Sequence, residues 1–154
     1  MKSIVRITPM IIFFFAATFL VAQEKADYYF SREVDYSFDE TIELTKASLK
    51  EQGFGIITEI EMDKTLKEKL DQVKMERYTI LGACNPRFAY QTLQIEENIG
   101  LFLPCKVLIK EVNKNKTEVV MVNPSVLMKM LGNKELEGIA DEVTVRFRTA
   151  LQNL

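Results

Sequence analysis

The sequence predicts an α+β domain in two layers, with helices packed on a mixed, mostly antiparallel sheet. Three observations carry that reading. Strand-like and helix-like patterns follow one another in the order β-α-β-α-β-α-β-β-α-α. Asn85-Pro86 and Asn123-Pro124 each set a strong N-cap residue before a proline, which is favoured at the first helical position. The closing segment repeats Leu136, Ile139, Ala140, Val143, Phe147, Ala150, Leu151 and Leu154 on one helical face.

Each element has a local reason. Tyr28 to Val34 is rich in aromatic residues and reads as a strand. Asp35 or Ser37 caps the next helix, where Phe38, Ile42, Thr45 and Leu49 recur at helical spacing. Gly53 stands where a left-handed residue ends that helix. Gly55 to Ile60 is a second strand, and Asp63 caps a short helix carrying Leu66, Leu70 and Val73. Arg77 to Ala83 is a third strand, followed by a helix from Pro86 to about Gln94. Glu96-Glu97-Asn98 reads as a surface loop. Leu101 to Val112 and Thr117 to Val122 are strands joined by Asn113-Lys114-Asn115-Lys116, a hairpin loop whose asparagines tolerate positive φ. Pro124 opens a helix that Gly132 ends, and Asn133 caps the last one.

Residues 1–22 read as an address. Lys2 and Arg6 precede an apolar run from Ile7 to Val21, no acid occurs before Glu24, and Ala22 offers a small residue for cleavage. That is the three-part plan of a secretory signal peptide, so the expected location is periplasmic or secreted. The run would span only ~24 Å as a helix, short of a ~30 Å hydrocarbon core, so no stable membrane insertion is expected after cleavage. Residues 27–154 then form a single domain, undivided by any Pro-, Gly- or Ser-rich stretch.

Of 154 residues, 27% are charged and 47% hydrophobic, the balance of an ordinary globular domain. With no histidine, Ser-His-Asp, Cys-His and His-ligated zinc chemistry are excluded. Without residues 1–22 the chain has 18 Lys+Arg against 22 Asp+Glu, a formal charge of −4. Nucleic acid, which needs a basic stripe, is not an expected partner.

Several segments together resemble the domain of unknown function 302 family. They are Gly53-Phe54-Gly55 running into ITEIEM, YTILGACNPRFAYQTL, IGLFLPCKVLIKE, and VVMVNP with Met128. The match is with the branch that carries GACNP and PC, and it covers about Tyr29 to Leu131. The resemblance implies a small two-layer α/β domain, often a stand-alone exported protein. It implies no settled activity, so no catalytic role is transferred.

Cys84 and Cys105 are the residues that suggest chemistry. Three readings stand open. Outside the cytoplasm two cysteines in one small domain tend to pair, and a disulfide across 21 positions would contribute about 3 kcal/mol in the chain-entropy model. Alternatively, Cys84 lies just before the helix cap formed by Asn85 and Pro86, where helix N–H groups favour a thiolate. A reactive redox pair or a soft-metal site could form if the third and fourth strands are neighbours. Third, both could be unpaired small hydrophobes. The spacing gathers none of Met62, Met75, Met121, Met128 and Met130 into a copper site, and core filling explains them. No cofactor is expected.

Other features read as structural. Glu59, Glu61 and Asp63 lack a calcium-loop pattern and suit a solvated strand end with a cap. Lys106, Lys110, Lys114 and Lys116 suit edge lysines that discourage strand pairing. Tyr28, Tyr29, Phe30, Tyr36 and Phe38 crowd the domain's start, and alternation puts Tyr29 opposite Tyr28 and Phe30. Such an aromatic edge suits a protein partner or a second copy of the chain. The expected function is thus a binding or interaction module for an unknown protein or small ligand. The alternative is thiol–disulfide redox or soft-metal handling by Cys84 and Cys105.

Overall fold

The structure, a computed structural model, describes residues 28–154; the expected leader, residues 1–22, lies outside the described residues. The elements are β1 (Tyr29–Val34), α1 (Phe38–Glu51), β2 (Gly55–Glu61), α2 (Met62–Lys69), β3 (Tyr78–Cys84), α3 (Pro86–Ile95), a 3-10 helix (Glu97–Phe102), β4 (Cys105–Asn113), β5 (Lys116–Val122), α4 (Pro124–Leu131) and α5 (Lys134–Gln152). The five strands form one sheet in the order β1-β5-β4-β3-β2, with every pairing antiparallel. The α+β class is as expected, and among the described residues the sheet has no parallel pair.

Helices cover one sheet face. Leu81 and Ala83 of β3, Val107 and Ile109 of β4, and Val119 and Met121 of β5 point into a core closed by Phe38, Ile42 and Leu49 of α1 and by Val143, Phe147, Ala150 and Leu151 of α5. The helical stripes read from the sequence on α1 and α5 face this core, whereas the one read on α2 does not. A smaller cluster, Ile99, Met128, Leu136 and Ala140, packs α4 and the 3-10 helix against the start of α5.

Local signals fix the junctions. Ser37, not Asp35, caps α1, its Oγ accepting the Glu40 N–H at 3.4 Å. At the other end Phe54 N–H donates to Leu49 O and Gly53 N–H to Lys50 O, both at 2.9 Å, with Gly53 at φ +84°. That is a Schellman closure, which favours glycine at this φ. Gly132 ends α4 at φ +69°. Asn133 caps α5 by accepting Glu135 N–H at 3.0 Å. Asn123 works differently. Its Oδ1 accepts from Thr144 Oγ1 of α5 at 3.3 Å, and Thr144 Oγ1 in turn accepts the Ser125 N–H at 3.0 Å, so α4 is capped from its neighbour.

Four expectations need correction. The residues from Leu101 to Pro104 are not strand: the 3-10 helix runs to Phe102, and β4 begins only at Cys105 after a cis Leu103–Pro104 peptide. The expected loop at Glu97-Asn98 is part of that same helix, opened by Glu96 Oε1 accepting the Asn98 N–H at 2.9 Å. The hairpin uses no positive φ. Its turn, Lys114-Asn115, is held by Asn113 Oδ1 accepting Asn115 N–H at 3.1 Å, beside a register shift between Glu111 and Asn113. Finally, β4 and β5 are interior strands, so their lysines guard no edge. Lys110 pairs with Glu118 at 2.6 Å, Lys116 with Glu33 at 3.4 Å, and Lys106 Nζ donates to Pro104 O at 2.7 Å. The free edges are β1 and β2, and a register shift between Ile56 and Thr58 interrupts β2.

Candidate functional site

The end of β3 and the start of β4 lie side by side. Leu81 faces Val107, Gly82 faces Lys106 and Ala83 faces Cys105, so Cys84 is one register step beyond its partner cysteine. The two strands are neighbours, as a cysteine pair requires. Both cysteines are free thiols. Strand alternation puts their Cβ atoms on opposite sides of the pleat. Cys84 is the last strand residue, where the chain turns into α3, and it borders the same cleft as Cys105.

This junction is closely fitted. A Cβ on Gly82 would sit 2.5 Å from Pro104 Cγ and nearer still to Thr58 Oγ1, so only glycine lets β2, β3 and Pro104 close together. Asn85 locks the other side. Its Oδ1 accepts Arg87 N–H at 3.0 Å and Phe88 N–H at 3.2 Å, and its Nδ2 donates to Gly53 O at 2.9 Å. The cap and the α1–β2 turn are thereby one unit, with Pro86 at the first turn of α3 as its sequence position predicts.

The cleft lies between the β3–β4 junction and the helices α3, α4 and α5. Phe54, Phe88, Phe102, Leu103, Met128, Leu136, Ile139, Ala140 and Val143 wall it, around a cavity of about 60 Å³. No charged side chain borders it. Its two polar side chains are already engaged: Asn85 as described, and Thr92, whose Oγ1 donates within α3 to Phe88 O and Ala89 O at 3.0 Å. The thiols are therefore the polar groups left to meet a guest.

Electrostatics keep those thiols protonated. Burial pushes the Cys84 thiol above its ordinary value of 9.0. Burial, and then the neighbouring Cys84, push Cys105 up to about 11. The helix-terminus argument for a Cys84 thiolate loses its donors here, because the Asn85 side chain takes the N–H groups of Arg87 and Phe88. Both sulfurs are neutral at physiological pH.

Met128 fills core as the sequence reading expects, packing with Ile99, Leu136 and Ala140, and it also borders the cleft that the cysteines border. It lies on the buried side of α4 while Met130 is exposed, which helical spacing predicts. Its place on the cleft wall depends on how α4 folds back, which has no local signal. Cys105, Phe102, Pro124 and Met128 also border an adjoining cleft with Leu101, Lys106, Val122 and Leu127, and so form the wall between the two.

The remaining candidates are structural. Glu59 pairs with Lys46 at 2.9 Å, and Glu61 pairs with Lys64. Asp63 does not cap α2 but sits inside it, buried. Its Oδ1 accepts the Tyr78 N–H at 3.2 Å and its Oδ2 meets Lys67 Nζ at 3.3 Å. Burial alone would raise its pKa, and these donors outweigh burial and hold it below 3.8. Helix α2 stops at Lys69, which leaves Leu70 exposed and Val73 outside any helix. Among the described residues no group of three His, Cys, Asp or Glu side chains could hold a metal ion. On the open sheet face Tyr28 and Tyr29, in edge contact at 4.9 Å, border a groove with Leu108, Val120 and Val122. Tyr28 joins Tyr29 there, against strict alternation, because the strand begins only at Tyr29.

The family model described as "Domain of unknown function DUF302" matches residues 30–154, so the last helix lies within the match, beyond where the motifs in the sequence end. Among solved structures, the crystal structure of the uncharacterized conserved protein DUF302 from Bacillus stearothermophilus is similar. It has a TM-score of 0.77 and 30% sequence identity, over 83% of this chain and 98% of that one. No curated protein matches the chain.

Proposed function

The chain belongs to the domain of unknown function 302 family, and from that premise we propose that it is an exported binding module which takes a small, uncharged guest into the two-thiol cleft. One observation carries the proposal: no charged side chain borders the cleft, and its polar side chains other than the thiols are spent on backbone groups. General acid–base catalysis needs a titrating group within hydrogen-bond reach of the guest near working pH. Two neutral thiols supply none, whereas apolar walls supply a favourable transfer term of roughly 25 cal/mol per Å² of guest surface covered. Export rests on the leader pattern of residues 1–22.

Xenon, a monatomic apolar guest, tests the binding reading. Amide spectra of the purified protein under xenon pressure should shift at Phe88, Met128, Leu136 and Ala140, and Ala89→Leu in the lining of the cleft should abolish those shifts. Shifts confined to the open sheet face, or none at all, would end this reading. For export, fusion of residues 1–26 to a reporter should deliver it across the membrane, and retention in the cytosol would contradict it.

A further inference from the structure

The sheet face turned away from α1 and α5 carries a continuous apolar row. Ile60 of β2 faces Ile80 of β3, Ile80 faces Leu108 of β4, and Leu108 faces Val120 of β5, all in one register. Ile60 is exposed, Ile80 and Leu108 are half-buried, and a groove opens over Leu108 and Val120. An antiparallel sheet with one wet face ordinarily turns polar side chains outward at alternate positions. Four aliphatic side chains abreast depart from that pattern, and a contiguous apolar patch with a polar rim marks a contact surface. We propose that a second copy of this chain covers it, the two sheets packing face to face about a two-fold axis that runs along the strands between β4 and β5. This face lies across the sheet from the helices that wall the two-thiol cleft, so the contact is independent of what the cleft binds.

Charge selects both the partner and the axis. The next register row holds Lys110 between Tyr78 and Glu118, with Glu33 beyond it on β1. Lys110 and Glu118 pair at 2.6 Å, so the row carries a dipole within each copy. A two-fold between β4 and β5 lays Lys110 over the partner's Glu118 and Glu118 over the partner's Lys110, a closed square of alternating charge. Leu108 then lies over the partner's Val120, and Tyr78 over the partner's Glu33. Such a patch is self-complementary, as an isologous contact requires. Sheets packed face to face keep their strands within about 30° of each other, so the rows stay in contact near the axis.

Neighbouring axes fail. One along β4 sets Lys110 on the partner's Lys110, and one along β5 sets Glu118 on the partner's Glu118. One across the strands, through the apolar row, sets Lys110 over the partner's Lys106. Like charges so placed repel strongly once water is excluded. About the favoured axis Lys106 meets the partner's Val122 with its apolar stem, while its ammonium donates back to Pro104 O at 2.7 Å.

Sedimentation of the purified chain over a concentration series tests the contact. A dimer is expected, and Leu108→Glu should raise its dissociation constant at least about thirtyfold. Lys110→Glu and Glu118→Lys each set like charges against one another and should weaken the dimer about a hundredfold. Mixed in equal amounts, those two variants should recover a heterodimer, because the negative row of one then meets the positive row of the other. Lys110 and Glu118 lie on the sheet surface, so the mixture serves if Leu108→Glu is unfolded by circular dichroism. A chain still monomeric at about 1 mM, a dimer that Leu108→Glu leaves intact, or charge variants that stay apart on mixing would each overturn the contact. A monomer that instead binds phosphatidylcholine vesicles through Leu108 would overturn it too.

Discussion

The two ends of the β3–β4 ladder are built on opposite principles. At the end where β3 begins, Arg77 holds Asp39 through two bonds of 2.6 and 2.8 Å, and its guanidinium lies 4.2 Å from the centre of the Phe38 ring. Asp63 ties β3 to α2, and Lys116 reaches Glu33 across the sheet. At the other end, where β3 stops and β4 starts, the partners are apolar walls, a cap turned inward on its own helix, and two free thiols. One end is closed by matched charges and has no group to spare for a ligand. The other is closed by shape and leaves its two sulfurs unbridged. Binding capacity thus follows from what the fold leaves unpaired.

The contrast can be tested by breaking each end in turn. The largest effect is expected from Leu136→Ala, which removes a fully buried side chain from the cleft wall; by analogy with other core truncations it should cost about 3 kcal/mol in chemical denaturation. Gly82→Ala should follow at about 1–3 kcal/mol, because the added methyl collides with Pro104 and Thr58. At the charged end Asp63→Ala should cost about 1–3 kcal/mol, since it strands the half-buried Tyr78 N–H. Asp39→Asn should cost less than about 1 kcal/mol, as both partners are exposed. A larger loss from Asp39→Asn than from Leu136→Ala would reverse the comparison.

Acidity separates the ends by sign. Asp63 and Asp39 have pKa values below the ordinary 3.8, Asp39 chiefly through its bonds from Arg77. Their stabilisation is complete above that value and is lost as pH falls through the lower folded one. Cys105 is the reverse. Its pKa rises from 9.0 to about 11, so its contribution is complete below pH 9 and is lost as pH climbs toward 11. Lys46 and Lys64 are held above 10.5 and lose their protons later. Stability measured against pH should therefore fall from about pH 9 in the native chain and stay flatter in Cys105→Ala, while Asp63→Asn flattens only the acid limb.

Much of this was readable from local chemistry. Asn85-Pro86, Gly53, Gly132, Asn133 and the apolar stripe of α5 act within a turn or two of their own positions, and each sits where its residue type demands. The adjacency of the two cysteines followed from the assumption that their strands are neighbours. What escaped depends on distant pairing. Nothing near Lys110 tells that β1 will flank β5 and bury the lysine strands in the middle of the sheet. Nothing near Met128 tells that α4 folds back to set it in the wall of a cleft that Cys105 also borders. Asp63 looks like a cap, and only the arrival of Tyr78 turns it into a buried anchor.

Alkylation of the folded, unreduced protein across pH, followed residue by residue by mass spectrometry, tests the character of the thiol end most directly. Two free thiols per chain are expected, both sluggish at neutral pH, with Cys105 reaching half its limiting rate near pH 11 and Cys84 also shifted upward from its ordinary 9.0. Rapid labelling of either at neutral pH, or no labelling until a reductant is added, would contradict a cleft that holds two separate, neutral sulfurs.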